Sequence, residues 1–218
     1  MSRTGTDSRA SAGTRERNPR GEGGRLREDI VRAGAELLDE SGDEQAVTLR
    51  SVARRVGISA PSIYAHFPDR QAILLRVVQD AFAELSAQLL AAQGDVGLDP
   101  VERLRAACEA YLEFARSRPQ RYRVMFAGVR DAAEAVRAAA VTQAEGAELG
   151  QDALRIFVAN LTQCVAAGRS TSDDPLADAV ALWLGLHGLA HQRAVGPLFP
   201  WPEDITERII VSLAHLVP

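Results

Sequence analysis

Thr48 to Phe67 reads TLRSVARRVGISAPSIYAHF, two short helical patterns hinged at a single glycine. Thr48 stands where an N-cap belongs, its hydroxyl able to accept a backbone N–H that the first turn leaves unsatisfied. In the segment it caps, Leu49, Val52, Ala53 and Val56 share one face and Arg50, Arg54 and Arg55 the other. Gly57 supplies the turn, where a positive φ costs glycine almost nothing. Ser59 is the next N-cap candidate, and Pro61 falls in the first turn of the following helix, where its missing N–H is not needed. Ala53 is small enough for the two helices to approach closely. Ile58 and Ile63 anchor the second helix, which leaves Ser59, Ala60, Ser62 and Tyr64 free to face a groove. This is the layout of a helix-turn-helix reader of DNA.

Upstream, Leu26, Ile30, Ala33, Leu37 and Leu38 repeat at helical spacing until Ser-Gly-Asp at 41–43 breaks the pattern, which predicts a first helix from Arg25. Downstream, Asp69 to Ala92 forms one long amphipathic pattern with Ile73, Leu74, Val77, Val78, Phe82, Leu85 and Leu89 on its inner side. Gln93 to Pro100 then interrupts it with two glycines and a helix-starting Asp99-Pro100. Further helices are predicted near Pro100 to Ser117, Pro119 to Ala127, Asp131 to Gln143, Ala147 to Ala167, Asp173 to Ala194 and Glu203 to Val217. The chain is therefore expected to be all-α with about nine helices. Its domains are a mobile arm over 1–24, a three-helix DNA-binding head over 25–70 and a helical body over 71–218.

Composition narrows the function. The 218 residues carry a net charge of −4, so the whole chain is no polycation and any DNA contact has to come from local charge. Through Phe67 there are eleven arginines against ten acids; the remainder has fourteen against nineteen. No lysine occurs, and a GC-rich coding sequence explains that without a functional cause. Met1 to Arg27 holds seven arginines and three acids, suited either to an arm along DNA or to a solubilising tail. Cys108 and Cys164 lie inside apolar helical patterns and read as reduced, buried thiols. No apolar run reaches the length of a membrane span, and no signal-peptide pattern opens the chain, so a cytoplasmic protein without membrane contact is expected. Four histidines and two cysteines supply no converging nucleophile, base and orienting group, so no enzymatic activity and no cofactor are expected.

The run AxxxGISxxSIYxHFPDR, Ala53 to Arg70, resembles the signature of the TetR (tetracycline repressor) family of transcriptional regulators, and the likeness extends from about Glu28 to Phe82. It implies phosphate contacts from Thr48, Tyr64 and His66, with Ser59, Ala60, Pro61 and Ser62 over or near base edges. Arg70 stands where the family usually has lysine, in a phosphate-contacting position. The recognition helix offers no Arg or Lys for guanine, so readout leans on apolar contacts, Ser62, and Arg50 or Arg55 of the preceding helix. In the body, Arg121 to Phe126 (RYRVMF) and Ala181 to His191 (ALWLGLHGLAH) resemble the Trp-His-Gly type of regulatory domain, which implies that Trp183, His187 and Gly188 lie near the core and the dimer interface.

Helical bundles hold ligands between their helices, and Tyr111, Phe114, Met125, Phe126, Phe157, Leu161, Trp183 and His187 could line such a cavity or simply form core. His187 and His191 have the i, i+4 spacing of a metal pair but lack a third ligand; packing or an interface hydrogen bond is the reading adopted, and no metal is expected. Gly188 inside a helix is explained by close helix packing. A single recognition helix covers few base pairs, so a homodimer reading a palindrome is expected, its half-sites one or more turns of roughly 34 Å apart. The resemblance places that interface on the last two helices, with Leu182, Leu186, Leu189, Ile205, Ile209, Leu213 and Leu216. The function expected is a regulator released from a double-stranded operator by an unknown small-molecule effector. The alternatives are an activator and a DNA-binding dimer without small-molecule control.

Overall fold

The computed structural model describes residues 22–94, 99–126 and 149–217. Residues 1–21 of the expected 1–24 arm, the centre of the Gln93 to Pro100 interruption and the Asp131 to Gln143 stretch lie outside them. Among the described residues there are nine α-helices and no strand, only one isolated bridge. They are α1 (Glu22–Ser41), α2 (Leu49–Val56), α3 (Ala60–Ile63), α4 (Arg70–Gly94), α5 (Pro100–Ser117), α6 (119–126), α7 (Gln151–Ala166), α8 (Pro175–Val195) and α9 (Ile205–Leu213). A one-turn 3-10 helix, Glu44–Ala46, joins α1 to α2.

Local chemistry sets most of these boundaries. Asp99 caps α5 by accepting the Val101 N–H at 2.8 Å, with Pro100 in the first turn, and Asp174 does the same for α8 through Ala177 at 3.1 Å with Pro175. Asp69 accepts the Ala72 N–H at 2.8 Å, so it stands just outside α4 as its cap. The first helix starts three residues before Arg25, so Glu22 to Gly24 belong to α1 and not to the arm.

The last helix is shorter than expected. It ends at Leu213 and does not run to Val217, because His215 takes φ 49° and the chain turns back on residues 169–171. There the Thr171 N–H meets the His215 carbonyl at 3.0 Å and the Val217 N–H meets the Arg169 carbonyl at 3.1 Å. Ser170 Oγ adds a bond to the Ala214 carbonyl at 2.7 Å. Nothing in the apolar pattern of the segment announces this reversal.

One contiguous core runs through head and body. Ile30, Leu38, Val52, Ile63 and Phe67 fill the head, and α4 carries the core onward through Ile73, Val77, Leu85 and Leu89 to Leu104, Tyr111, Phe157 and Leu182. Cys108 and Cys164 are free and buried, and burial raises both thiol pKa values. Two expectations about α8 are corrected. Leu182, Leu186 and Leu189 are buried within their own chain, at 0%, 0% and 5% exposure, and are not available to a partner. They form the inward stripe of a helix that is apolar on both sides, and the pattern alone does not say which stripe faces in. Close packing falls on Gly185, where an added Cβ would lie 2.7 Å from Leu213 Cδ1 of α9, while Gly188 is exposed with nothing within 4 Å.

Candidate nucleic-acid interface

The head is built around α2 and α3. Thr48 caps α2 in a capping box: its Oγ1 accepts the Ser51 N–H at 3.0 Å, and Ser51 Oγ accepts the Thr48 N–H at 2.9 Å. Ser51 also donates to the Ala46 carbonyl at 2.7 Å, tying helix to turn. Gly57 ends α2 at φ 78°, and the Ile58 N–H returns to the Ala53 carbonyl at 3.0 Å. Ser59 occupies the N-cap position of α3, but its side chain makes no capping bond; its Oγ lies 2.7 Å from Ser62 Oγ. The recognition helix has four residues, and a turn carries the chain on through Tyr64 and His66.

Val52, Ala53, Ile63 and Phe67 are buried beneath this hairpin. Thr48, Arg50, Ser59, Pro61 and Ser62 are exposed, Ala60 and His66 are half-buried, and Tyr64 is 61% exposed, unusual for so large an apolar ring. Arg27 on α1 steadies the end of the motif: it donates to the His66 carbonyl, and its guanidinium carbon lies 4.3 Å from the centre of the Phe67 ring. Arg27 lies in the first helix expected from Arg25, but its stacking on a core aromatic has no signature in the sequence.

Two arginines expected near DNA have partners inside the protein. Arg55 is held by Glu36 at 3.2 Å and by Glu40 at 2.5 and 2.9 Å. The bond to Arg55 keeps the Glu40 carboxyl below its ordinary pKa, and the bonds to Glu40 and Glu36 raise that of Arg55. Arg70 donates from Nε to the Val47 carbonyl at 2.7 Å and from Nη2 to the Glu44 carbonyl at 2.6 Å. Arg50 remains exposed.

The eight body residues expected around a cavity separate into two groups. Tyr111, Phe114, Met125, Phe157 and Leu161 are fully buried core. Phe126, Trp183 and His187 are half-buried and gather with Tyr122: the Phe126 and His187 ring centres are 4.3 Å apart, Phe126 and Tyr122 4.8 Å, and Trp183 and His187 6.0 Å. His187 Nδ1 lies 2.7 Å from Tyr122 Oη and 3.5 Å from Tyr111 Oη, and the two hydroxyls are 3.0 Å apart. Burial lowers the imidazole pKa, with a smaller push from His191, and raises both phenols, Tyr111 to about 12. His191 is exposed, and no group of three or more metal-ligating side chains gathers among the described residues.

Helix α6 has a second face. Arg121 grips Asp39 of α1 at 2.7 and 2.9 Å and Glu84 of α4 at 2.8 Å, Arg118 lies 3.4 Å from Glu84, and Arg123 donates to the Gly42 carbonyl. Tyr122 and Phe126 point from the same short helix into the aromatic group. A cleft of about 340 Å³ lies at this junction, bounded by Arg27, Val31, Ala35, Val77, Glu84 and Arg121 among others.

Comparison with known proteins gives concordant matches to both halves. Residues 30–77 match the model of bacterial regulatory proteins of the tetR family, and residues 104–216 match the tetracyclin repressor-like C-terminal domain. The nucleoid occlusion factor SlmA of Photobacterium profundum is 29% identical over 102 residues, 45% of this chain and 50% of that protein. The tetracycline repressor protein class D of Escherichia coli is 32% identical over 108 residues, 50% of this chain and 43% of that one. The chain thus spans about half the length of the curated relatives it matches. Among solved structures, a protein of unknown function from Rhodococcus sp. RHA1 superimposes with a TM-score of 0.70 at 25% identity, covering 86% of this chain and 91% of that one. The TetR family regulator PfmR of Thermus thermophilus shares the fold with a TM-score of 0.60 at 22% identity, covering 87% of this chain and 99% of that one.

Proposed function

This chain belongs to the TetR family of DNA-binding transcriptional regulators, and on that premise we propose that it is a cytoplasmic homodimeric repressor released from a palindromic operator by a small molecule. Regulators of this family bind DNA operators and act as dimers, and they are not enzymes. No described helix is long and apolar enough to cross a membrane.

The observation that carries the reading is the recognition surface. Thr48, Ser59, Pro61, Ser62 and Tyr64 stand exposed on a hairpin whose other side is closed core. Tyr64, His66 and the Thr48 hydroxyl contact phosphates and set the register, while Ser59, Ala60, Pro61 and Ser62 approach base edges. Arg50 is exposed on α2 and within reach of DNA, whereas Arg55 is engaged by two glutamates.

Dimerisation is supported by where apolar surface remains. Of the seven large apolar side chains exposed among the described residues, Leu176, Leu184, Val195, Leu198 and Phe199 lie on α8 or directly after it. Such a band fits a partner copy better than water. The partner face is thus the outer stripe of α8 with the half-buried Ile205, Ile209, Leu213 and Leu216 at its border.

The effector binds beside Phe126, Trp183, His187 and Tyr122, an aromatic wall with one imidazole and one hydroxyl to fix orientation. A ligand there acts on the head only through different affinities for two states, and α6 is suited to report the difference because Arg121 grips both α1 and α4. The test is capture of genomic fragments on the purified protein, followed by elution with fractionated metabolites. Specific fragments that one fraction releases support the proposal. Specific fragments that no fraction releases favour a DNA-binding dimer without small-molecule control, and absence of specific fragments contradicts the regulator role.

A further inference from the structure

Arg70 opens α4 at the position where family resemblance implies a lysine on a DNA phosphate. Its guanidinium is engaged elsewhere, with Nε on the Val47 carbonyl at 2.7 Å, Nη2 on the Glu44 carbonyl at 2.6 Å, and that nitrogen 3.7 Å from the Glu44 carboxylate. The two carbonyls bracket the Glu44–Ala46 turn, and the residue after Val47 is Thr48. From the other side, Ser51 Oγ donates to the Ala46 carbonyl at 2.7 Å and accepts the Thr48 N–H at 2.9 Å. The turn that delivers Thr48 is therefore held by an α4 side chain and an α2 side chain together.

We infer that Arg70 is a positioning residue for DNA binding: it fixes the Glu44–Thr48 turn so that the Thr48 hydroxyl is presented to the phosphate backbone, and it makes no phosphate contact itself. The inference rests on the phosphate role proposed above for Thr48. A planar guanidinium directs N–H groups from two nitrogens along one edge and matches two carbonyls at once. A lysine ammonium has one nitrogen, keeps the charge and loses the fork. The Arg70 side chain is 24% exposed, with its fork turned onto the two carbonyls.

The charge and the fork are separable by substitution. Binding to a fluorescent mixed-sequence duplex is measured for the full chain and for Arg70→Lys, Arg70→Met, Thr48→Val and the Thr48→Val/Arg70→Lys double variant, at salt concentrations between about 50 and 200 mM. Positioning predicts that Arg70→Lys and Arg70→Met weaken binding alike, by about tenfold, because each loses charge-assisted bonds to the turn. Both keep the wild-type salt slope, and Arg70→Lys adds no further loss when Thr48 is already valine. Amide exchange at Val47 to Ser51 in free Arg70→Lys protein is expected to quicken more than exchange in the rest of the head.

A direct phosphate contact gives the opposite pattern: Arg70→Lys binds like the wild type, and Arg70→Met alone loses affinity with a salt slope smaller by about one. That result overturns the inference. Should Arg70→Met fail to fold, the affinity of Arg70→Lys still decides between fork and charge. Wild-type binding by Thr48→Val sinks the Thr48 reading itself, and with it the reason for the clamp, whatever the Arg70 variants do.

Discussion

Gly57 holds φ 78° with nothing within 4 Å of where a side chain would grow, so substitution there strains the backbone alone. Gly57→Ala is expected to cost about 1 kcal/mol, the left-handed penalty for an L-residue. It should appear as a lower thermal midpoint; an unchanged midpoint contradicts the assignment. His187 makes a different prediction. Its folded-state pKa is depressed by burial, so the folded protein binds fewer protons than the unfolded chain as pH falls. Stability from this residue is complete above the unfolded imidazole value of about 6.5 and is lost as pH drops through the lower folded value. Urea titrations across that range should show stability falling toward acid, and less steeply in His187→Gln. Thr48 and Gly57 were legible in the sequence because capping and turn chemistry depend on the residue and its near neighbours. Arg27, Arg55 and Arg70 were not, since an arginine's role depends on which distant carboxylate, carbonyl or ring it meets.

At the scale of elements, α6 is the piece with two allegiances. Tyr122 and Phe126 belong to the aromatic group around His187, and Arg121 belongs to the junction with Asp39 and Glu84. Arg121→Ala removes one cation from two carboxylates that are about one-third exposed, and a loss of about 1 to 2 kcal/mol is expected by thermal unfolding, discounted for solvent screening. If α6 reports ligand state, the same variant should still bind operator while an effector releases it severalfold less. Full release by effector in Arg121→Ala removes α6 from the coupling. The apolar pattern predicted Pro119 to Ala127 as a helix but could not show that its polar face grips the head. Periodicity also placed α8 correctly while leaving its inward stripe ambiguous, which is why Leu182 and Leu186 read as free for a partner. The reversal at His215 escaped for a related reason, because the pairing with residues 169–171 is long-range.

For the whole molecule, the two heads read a palindrome only if the bodies pair. Leu184, 53% exposed on the outer stripe of α8, is a direct probe of that pairing. Leu184→Glu is expected to shift sedimentation from dimer to monomer with the helical content kept, because a charge enters an apolar interface without a counter-ion. A dimer that survives the change places the interface elsewhere. Whether the chain is a dimeric reader of specific DNA is decided by selecting binding sites from a random-sequence duplex pool with the purified 218-residue chain. Enrichment of an inverted repeat bound by two copies of the chain is expected. Enrichment of no sequence, or of a single unrepeated site bound by one copy, contradicts it.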